Sequence, residues 1–200
     1  MKMKYTLISA MIIGMIGLTS CADVPQVEVD AANAAIIEAQ TAGAEIYVEA
    51  EFQALNDSMA VAMASLEEQK SKFFKNYSET KEKLAAVTAQ AAQVTANTVA
   101  AIEVLKNEIT ETITEVQGLV AVGRDLISQA PRGKEGTTAL VAIKAEIDAI
   151  ETSVNESNTM FQNGELKATM EKLTVAVEKA SAINSELSEV ISKYKVAAKR

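Results

Sequence analysis

The chain has no histidine, no tryptophan, one cysteine and two prolines in 200 residues. Each scarcity removes something. Without histidine there is no Ser-His-Asp triad, no Cys-His pair and no zinc site of the usual Cys/His kind. One cysteine cannot make a disulfide within one chain. With proline only at Pro25 and Pro131, long stretches carry no obligatory helix breaker. Aromatic residues make up only 4% of the chain, and no convincing period-2 alternation marks a strand. Basic residues are outnumbered: 19 Lys and Arg face 27 Asp and Glu, a net charge of −8. That balance makes the chain a poor candidate for binding nucleic acid or an anionic membrane surface, since both need basic patches, so lipid attachment rather than charge is expected to hold it at a membrane. Paired carboxylates are the remaining acid–base option. Here the acids fall beside lysines on helical faces, without a Gly-rich or aromatic pocket nearby, which is the pattern of a solvated surface. The expectation is a non-enzymatic protein with no catalytic residue, metal site or cofactor.

What is present starts at the N-terminus. Met1-Lys2-Met3-Lys4 is basic, and Tyr5 to Leu18 is an apolar run broken only by Thr6, Ser9, Gly14 and Gly17. Thr19 and Ser20 then lead to Cys21, the single cysteine. Positive start, apolar centre and small residues before a cut are the layout of a secretory signal. The run is too short to span a bilayer as a helix, which takes roughly 20 apolar residues. The competing reading is an ordinary or uncleaved secretory signal with an unrelated cysteine.

Leu18-Thr19-Ser20-Cys21 resembles the lipobox of bacterial lipoproteins. The resemblance implies cleavage between Ser20 and Cys21, removal of residues 1–20, and acylation of Cys21 with palmitate-type chains. One acyl chain gives marginal membrane binding and several give stable anchoring. Cleavage would remove Lys2 and Lys4 and no acid, leaving the mature chain more acidic. Ala22 after the cysteine resembles outer-membrane sorting in enteric bacteria, although Asp23 follows directly. The expected location is the cell envelope, at the outer membrane facing the periplasm rather than at the inner membrane.

Beyond residue 30 the chain is rich in Ala, Glu, Lys, Val, Ile and Leu, a helical composition. The fold expected is all-α: an elongated helical bundle with a long central helix and a C-terminal antiparallel coiled-coil-like hairpin. Residues 21–30 read as a tether in which Pro25 interrupts any helix, with Asp30 as N-cap. Residues 31–77 read as an N-terminal helical hairpin. Its first helix, from about Ala31 to Thr41, places Ala32, Ala35, Ile36 and Ala39 on one face, and Gly43 ends it. The second starts at Ala44 or Glu49 and runs to about Lys72, with a stripe of Tyr47, Phe52, Leu55, Met59, Met63 and Leu66. Phe73, Phe74 and Tyr77 are expected to plug the turn, and Ser78 to cap the next helix.

Residues 78–200 read as the long helix plus the C-terminal hairpin. From Ser78 to Gln129 the only interruptions are Gly118 and Gly123. Unbroken, such a helix would reach roughly 75 Å. Its early stripe (Leu84, Val87, Ala91, Val94) and later one (Ile102, Ile109, Ile113, Val116, Val120, Ile127) are not in one heptad register. A bend is expected at Gly118–Gly123, and a loop over Ala130–Gly136. The fourth helix then carries Leu140, Ile143, Ile147, Ile150, Val154, Ser157 and Phe161. The fifth carries Leu166, Met170, Leu173, Val177, Ala180, Asn184, Leu187, Ile191 and Tyr194. Both step by threes and fours, and Asn163-Gly164 links them, so the pair is expected to fold back on itself and pack on the long helix. Asn184 on the seam is expected to play a modest structural part.

Residues 31 to about 92 also resemble a small helical domain of unknown function in bacterial envelope lipoproteins, sometimes found ahead of OmpA-like domains. The matching features are Ala32, Ala35, Ile36, Ala39, Gly43-Ala44, Tyr47, the Ala54 to Ala62 stripe and Tyr77. The proline that usually follows the tyrosine is absent from Tyr47-Val48-Glu49-Ala50. The resemblance implies an envelope location and a helical hairpin, with no chemistry to carry over.

The function expected is a lipid-anchored scaffold, spacer or protein-interaction module. Its candidate partners are the membrane through Cys21, an envelope protein, peptidoglycan, or a second copy of the chain. Murein-linked lipoproteins are similar in being helical and lysine-ended, but here Arg200 follows Lys199. The alternative is a periplasmic carrier or chaperone holding an apolar ligand or peptide between helices, with Met59, Met63, Met160 and Met170 as an adaptable lining.

Overall fold

A computed structural model describes residues 23–132 and 134–197. The first helix, α1 (Gln26–Thr41), begins five residues earlier than the sequence reading placed it, with Pro25 at its N-cap. Proline costs a helix nothing where its missing N–H would have had no partner, so Pro25 starts the helix it was expected to interrupt. The Val29 N–H donates to the Pro25 carbonyl at 3.1 Å. Asp30 lies inside α1 and accepts from Gln26 Nε2 at 2.8 Å. Gly43, at φ 97°, ends α1 and admits the one-turn helix α2 (Ala44–Tyr47). After a single non-helical residue, Val48, α3 runs over Glu49–Ser71. Both starts that the sequence left open for the second helix are therefore used.

The long helix α4 (Ser78–Gln129) has the bounds expected of it. Asn76, rather than Ser78, supplies its cap: Asn76 Oδ1 accepts from the Ser78 N–H at 3.0 Å. α4 runs through Gly118 and Gly123 without a break. Helix α5 (Lys134–Gln162) begins inside the stretch expected to be loop. Gly136 permits this, because a Cβ there would lie 2.9 Å from the Pro131 carbonyl oxygen. Gly164, at φ 83°, turns the chain into α6 (Leu166–Ala197). Among the described residues every regular element is a helix.

The chain divides into two compact units, with the boundary between Thr95 and Ala96 inside α4. The first unit takes α1, α2, α3 and the start of α4. Its core joins Val29, Ala32, Ala39, Ala44, Phe52, Leu55, Ala62, Leu66, Tyr77, Leu84, Val87, Ala91 and Val94. The four α1 positions read from the sequence all turn inward, Ala35 and Ile36 only partly. Small residues at Ala32, Ala39 and Ala62 let the helices approach closely, so packing rather than bulk stabilises this unit. Inside it, the hydroxyls of Ser65 and Thr80 share a hydrogen bond of 3.0 Å, while the buried Tyr77 hydroxyl has no partner.

The second unit packs the rest of α4 with the α5–α6 hairpin. Val116, Val120, Ile147, Ile150, Val154, Ala176, Ala180, Ile183, Leu187 and Ile191 form its core. The seam read from the sequence is present but too narrow. Thr169, Ala176 and Ile183 are buried as well, because α6 is covered by two neighbours and needs a wider apolar face than a two-helix seam. Tyr194, placed on the stripe by periodicity, is exposed.

Gly123 is a contact residue, not a bend. A Cβ there would lie 2.7 Å from Ile147 Cδ1 and 2.8 Å from Asn184 Oδ1. Asn184 Nδ2 donates to the Leu119 carbonyl at 2.9 Å, tying α6 to α4 one turn from that contact. Its Oδ1 is buried without a partner.

Candidate functional site

The two residues assigned a chemical role from the sequence, Ser20 and Cys21, lie outside the described residues, as does Lys199. The described chain opens two residues after Cys21. Asp23 and Val24 are exposed, Pro25 is buried, and α1 begins at Gln26. Only four residues thus separate Cys21 from the first helix.

The start of α1 is held to the start of α4. Glu28 Oε1 and Lys81 Nζ are 3.0 Å apart. The hydrogen bond from Lys81 is the main reason the Glu28 carboxyl titrates below the usual carboxylate range. Val29 and Tyr77 share the same core. The loop between α3 and α4 therefore sits at the end of the first unit where α1 begins.

That loop corrects the sequence reading. Tyr77 is buried as expected, but Phe73 and Phe74 are 93% and 85% exposed and plug nothing. Helix α3 ends at Ser71 and Lys72 is extended (φ −79°, ψ 147°), so the next two residues leave the helix and its buried face. The two rings touch each other edge to face, centroids 5.0 Å apart. Lys70, Lys72 and Lys75 flank them in sequence, all exposed, and no acid lies between Glu68 and Glu79. The sequence signal was there as interleaved Lys and Phe. Helical periodicity misses it, because the segment is not helical.

The four methionines of the carrier reading divide between the two units. Met59 and Met63 pack on the core of the first unit, whereas Met160 and Met170 belong to the second. Met170 accepts a long contact of 3.9 Å from the Thr112 hydroxyl. A separate open groove of about 580 Å³ runs between α5 and α6, floored by Ile150, Ala176 and Ile183 and edged by Lys172, Lys179 and Glu186. None of the four methionines lines it.

Many of the acids are engaged in surface pairs. Arg124 Nη2 bridges Glu151 Oε2 at 2.6 Å and Asp148 Oδ1 at 3.2 Å, and these bonds, Glu151 first, raise its already high pKa. Lys172 pairs with Glu156 across α5 and α6. Among the described residues no group of three acidic side chains could hold a metal ion, and no helix is long and apolar enough to cross a membrane.

The class that this fold defines is an all-α helical bundle whose notable exposed surface is one aromatic, basic loop. No protein-family model, curated protein or solved structure matches the chain.

Proposed function

We propose that the protein is a lipid-anchored lipoprotein of the bacterial cell envelope, acting as a non-enzymatic helical scaffold, spacer or interaction module. The observation that carries the reading is Leu18-Thr19-Ser20-Cys21 at the end of a basic-then-apolar leader. One structural fact supports it. The chain folds within a few residues of Cys21, so an acyl group there would hold the first unit at the bilayer surface.

Growth with an alkyne-tagged palmitate tests the anchor. Wild-type protein takes up the label and begins at Cys21 by intact mass, while Cys21→Ala takes up none. An unlabelled wild-type chain would refute it. The scaffold role is tested by cross-linking in intact cells. Recovery of an envelope protein, muropeptide or second copy of the chain is expected, and a deletion with an unchanged envelope and no cross-linked product would leave the role without content.

The carrier reading has one observation in its favour, the groove between α5 and α6. Native mass spectrometry of detergent-extracted protein decides it: a bound apolar ligand or peptide supports a carrier, and a bare chain counts against one.

A further inference from the structure

We infer that the α3–α4 loop is a membrane-contact element: Phe73 and Phe74 enter the interface of an anionic phospholipid bilayer while Lys70, Lys72 and Lys75 meet its phosphates. The inference builds on the lipid anchor at Cys21, because the anchor decides which end of the molecule faces the bilayer.

Three observations converge on this loop. The first is exposure: two adjacent phenylalanines stand almost wholly in water, their rings in edge-to-face contact with each other. Large apolar side chains left out together at a loop tip mark an interaction surface. The second is charge. In a chain of net −8, the ten residues from Gln69 to Ser78 hold three lysines and no acid. Lys70 and Lys72 are paired with Glu67 and Glu68 at 2.7 and 2.8 Å, but these are exposed pairs on neighbouring turns. Such pairs are weak and can be exchanged for phosphates. Lys75 has no carboxylate partner among the described residues. Lysines around aromatic side chains are the composition that binds anionic lipid interfaces, whereas a protein partner would have to supply its own acidic, apolar socket.

The third observation is placement. The Glu28–Lys81 pair and the shared burial of Val29 and Tyr77 put the loop at the end of the unit where the chain leaves toward Cys21. An acyl group there would bring the loop to the lipid, so that the rings need add only a second contact. Acyl and loop together would fix how the first unit stands on the membrane, as one flexible attachment could not. The loop is braced for this. The Lys72 N–H donates to the Gln69 carbonyl at 3.2 Å, Asn76 caps α4, and the Tyr77 ring is buried beneath. Burying one aromatic ring away from water favours partitioning by roughly tenfold or more.

The chain has no tryptophan, so Phe74→Trp in the full chain creates a single reporter at an exposed position. Protein purified in detergent is reconstituted into vesicles of phosphatidylethanolamine and phosphatidylglycerol, with and without brominated acyl chains. Indole emission from the Phe74→Trp chain is expected to shift to the blue and to be quenched by the brominated lipid. Ile37→Trp, exposed toward the C-terminal end of α1 in the same unit, is expected to stay unquenched. Replacing Lys70, Lys72 and Lys75 by Gln together in the Phe74→Trp chain should weaken the quenching by roughly a hundredfold in lipid titrations, at about fivefold for each basic residue near an anionic surface. Intact mass reports the lipid on Cys21 separately. A lipidated Phe74→Trp chain that floats with the vesicles while its indole stays unquenched overturns the loop contact and leaves the anchor standing. A chain without lipid whose indole is still quenched supports the loop and removes the anchor. A blue shift that depends on protein concentration and ignores brominated lipid identifies a second copy as the occupant and overturns the proposal.

Discussion

Two glycines in α4 offer a paired test of the packing. Glycine inside a helix is worse than alanine by about 1 kcal/mol, so either Gly→Ala change gains that much from propensity alone. At Gly118 a Cβ would meet nothing within 4 Å, and Gly118→Ala should stabilise by about 0.5–1 kcal/mol. At Gly123 the new methyl would lie 2.7 Å from Ile147 Cδ1 and 2.8 Å from Asn184 Oδ1. Both neighbours are constrained: Ile147 is fully buried, and Asn184 is tied to the Leu119 carbonyl. Overpacking of this sort costs about 1–3 kcal/mol, which offsets the propensity gain and leaves a net loss of up to about 2 kcal/mol. The two variants should therefore differ by about 1–3 kcal/mol, with Gly118→Ala the more stable. Urea unfolding followed by circular dichroism at the helix band gives the difference. Hydrogen exchange of the α6 amides from Ala180 to Ile191 shows that the loss lies in the second unit. Adding Asn184→Ala to Gly123→Ala should restore part of the loss, because it removes one of the two clashing groups. Equal stability of the two alanine variants would refute the close approach of α4 to α5 and α6.

Further outcomes concern the first unit and the surface. Thr80→Val should cost about 1–3 kcal/mol by leaving the Ser65 hydroxyl buried and alone, and Ser65→Ala added to it should recover most of that in the same melts. Tyr77→Phe should be neutral or slightly stabilising, since the buried hydroxyl has no partner, whereas Tyr77→Ala should cost about 3–5 kcal/mol. Glu28, Glu68 and Glu189 titrate below their ordinary value of 4.5, chiefly through side-chain hydrogen bonds from Lys81, Lys72 and Lys193. A lowered folded-state value stabilises above the ordinary one and is lost as pH falls through the lowered one. The contribution of these three groups should thus decline only on the acid side of pH 4.5 in pH-dependent melts. An NMR titration should find Glu28 returning to the ordinary carboxylate range in Lys81→Met.

Much of the fold was legible in the residue order. The Ser78–Gln129 helix, the α5–α6 pair and the Asn163-Gly164 turn arise from repeating apolar steps and from one residue that tolerates positive φ. The misreadings share a cause. Pro25 looked like a breaker because periodicity says nothing of where a helix begins. Gly123 looked like a bend because its reason, a side chain 61 residues away, is invisible along the chain. Phe73 and Phe74 looked like a plug for the turn because apolar residues are usually covered, while their exposure depends on where α3 stops. The candidate site divides the same way: Cys21 is a matter of sequence alone, and the aromatic, basic loop beside the start of α1 emerges only in three dimensions.

By itself, then, the sequence determined the helical class and the apolar stripes of the second unit, since each depends on residues within a few turns of one another. Tertiary structure decided which apolar residues stay outside, which glycine is a contact, and that the first turn of α1 meets the first turn of α4. Those outcomes depend on residues distant in sequence coming within a few ångströms, and short-range periodicity does not encode such distances. The scarcity of aromatics takes on new meaning in that light: of four phenylalanines, two are held in water beside three lysines, at the end of the first unit where α1 begins.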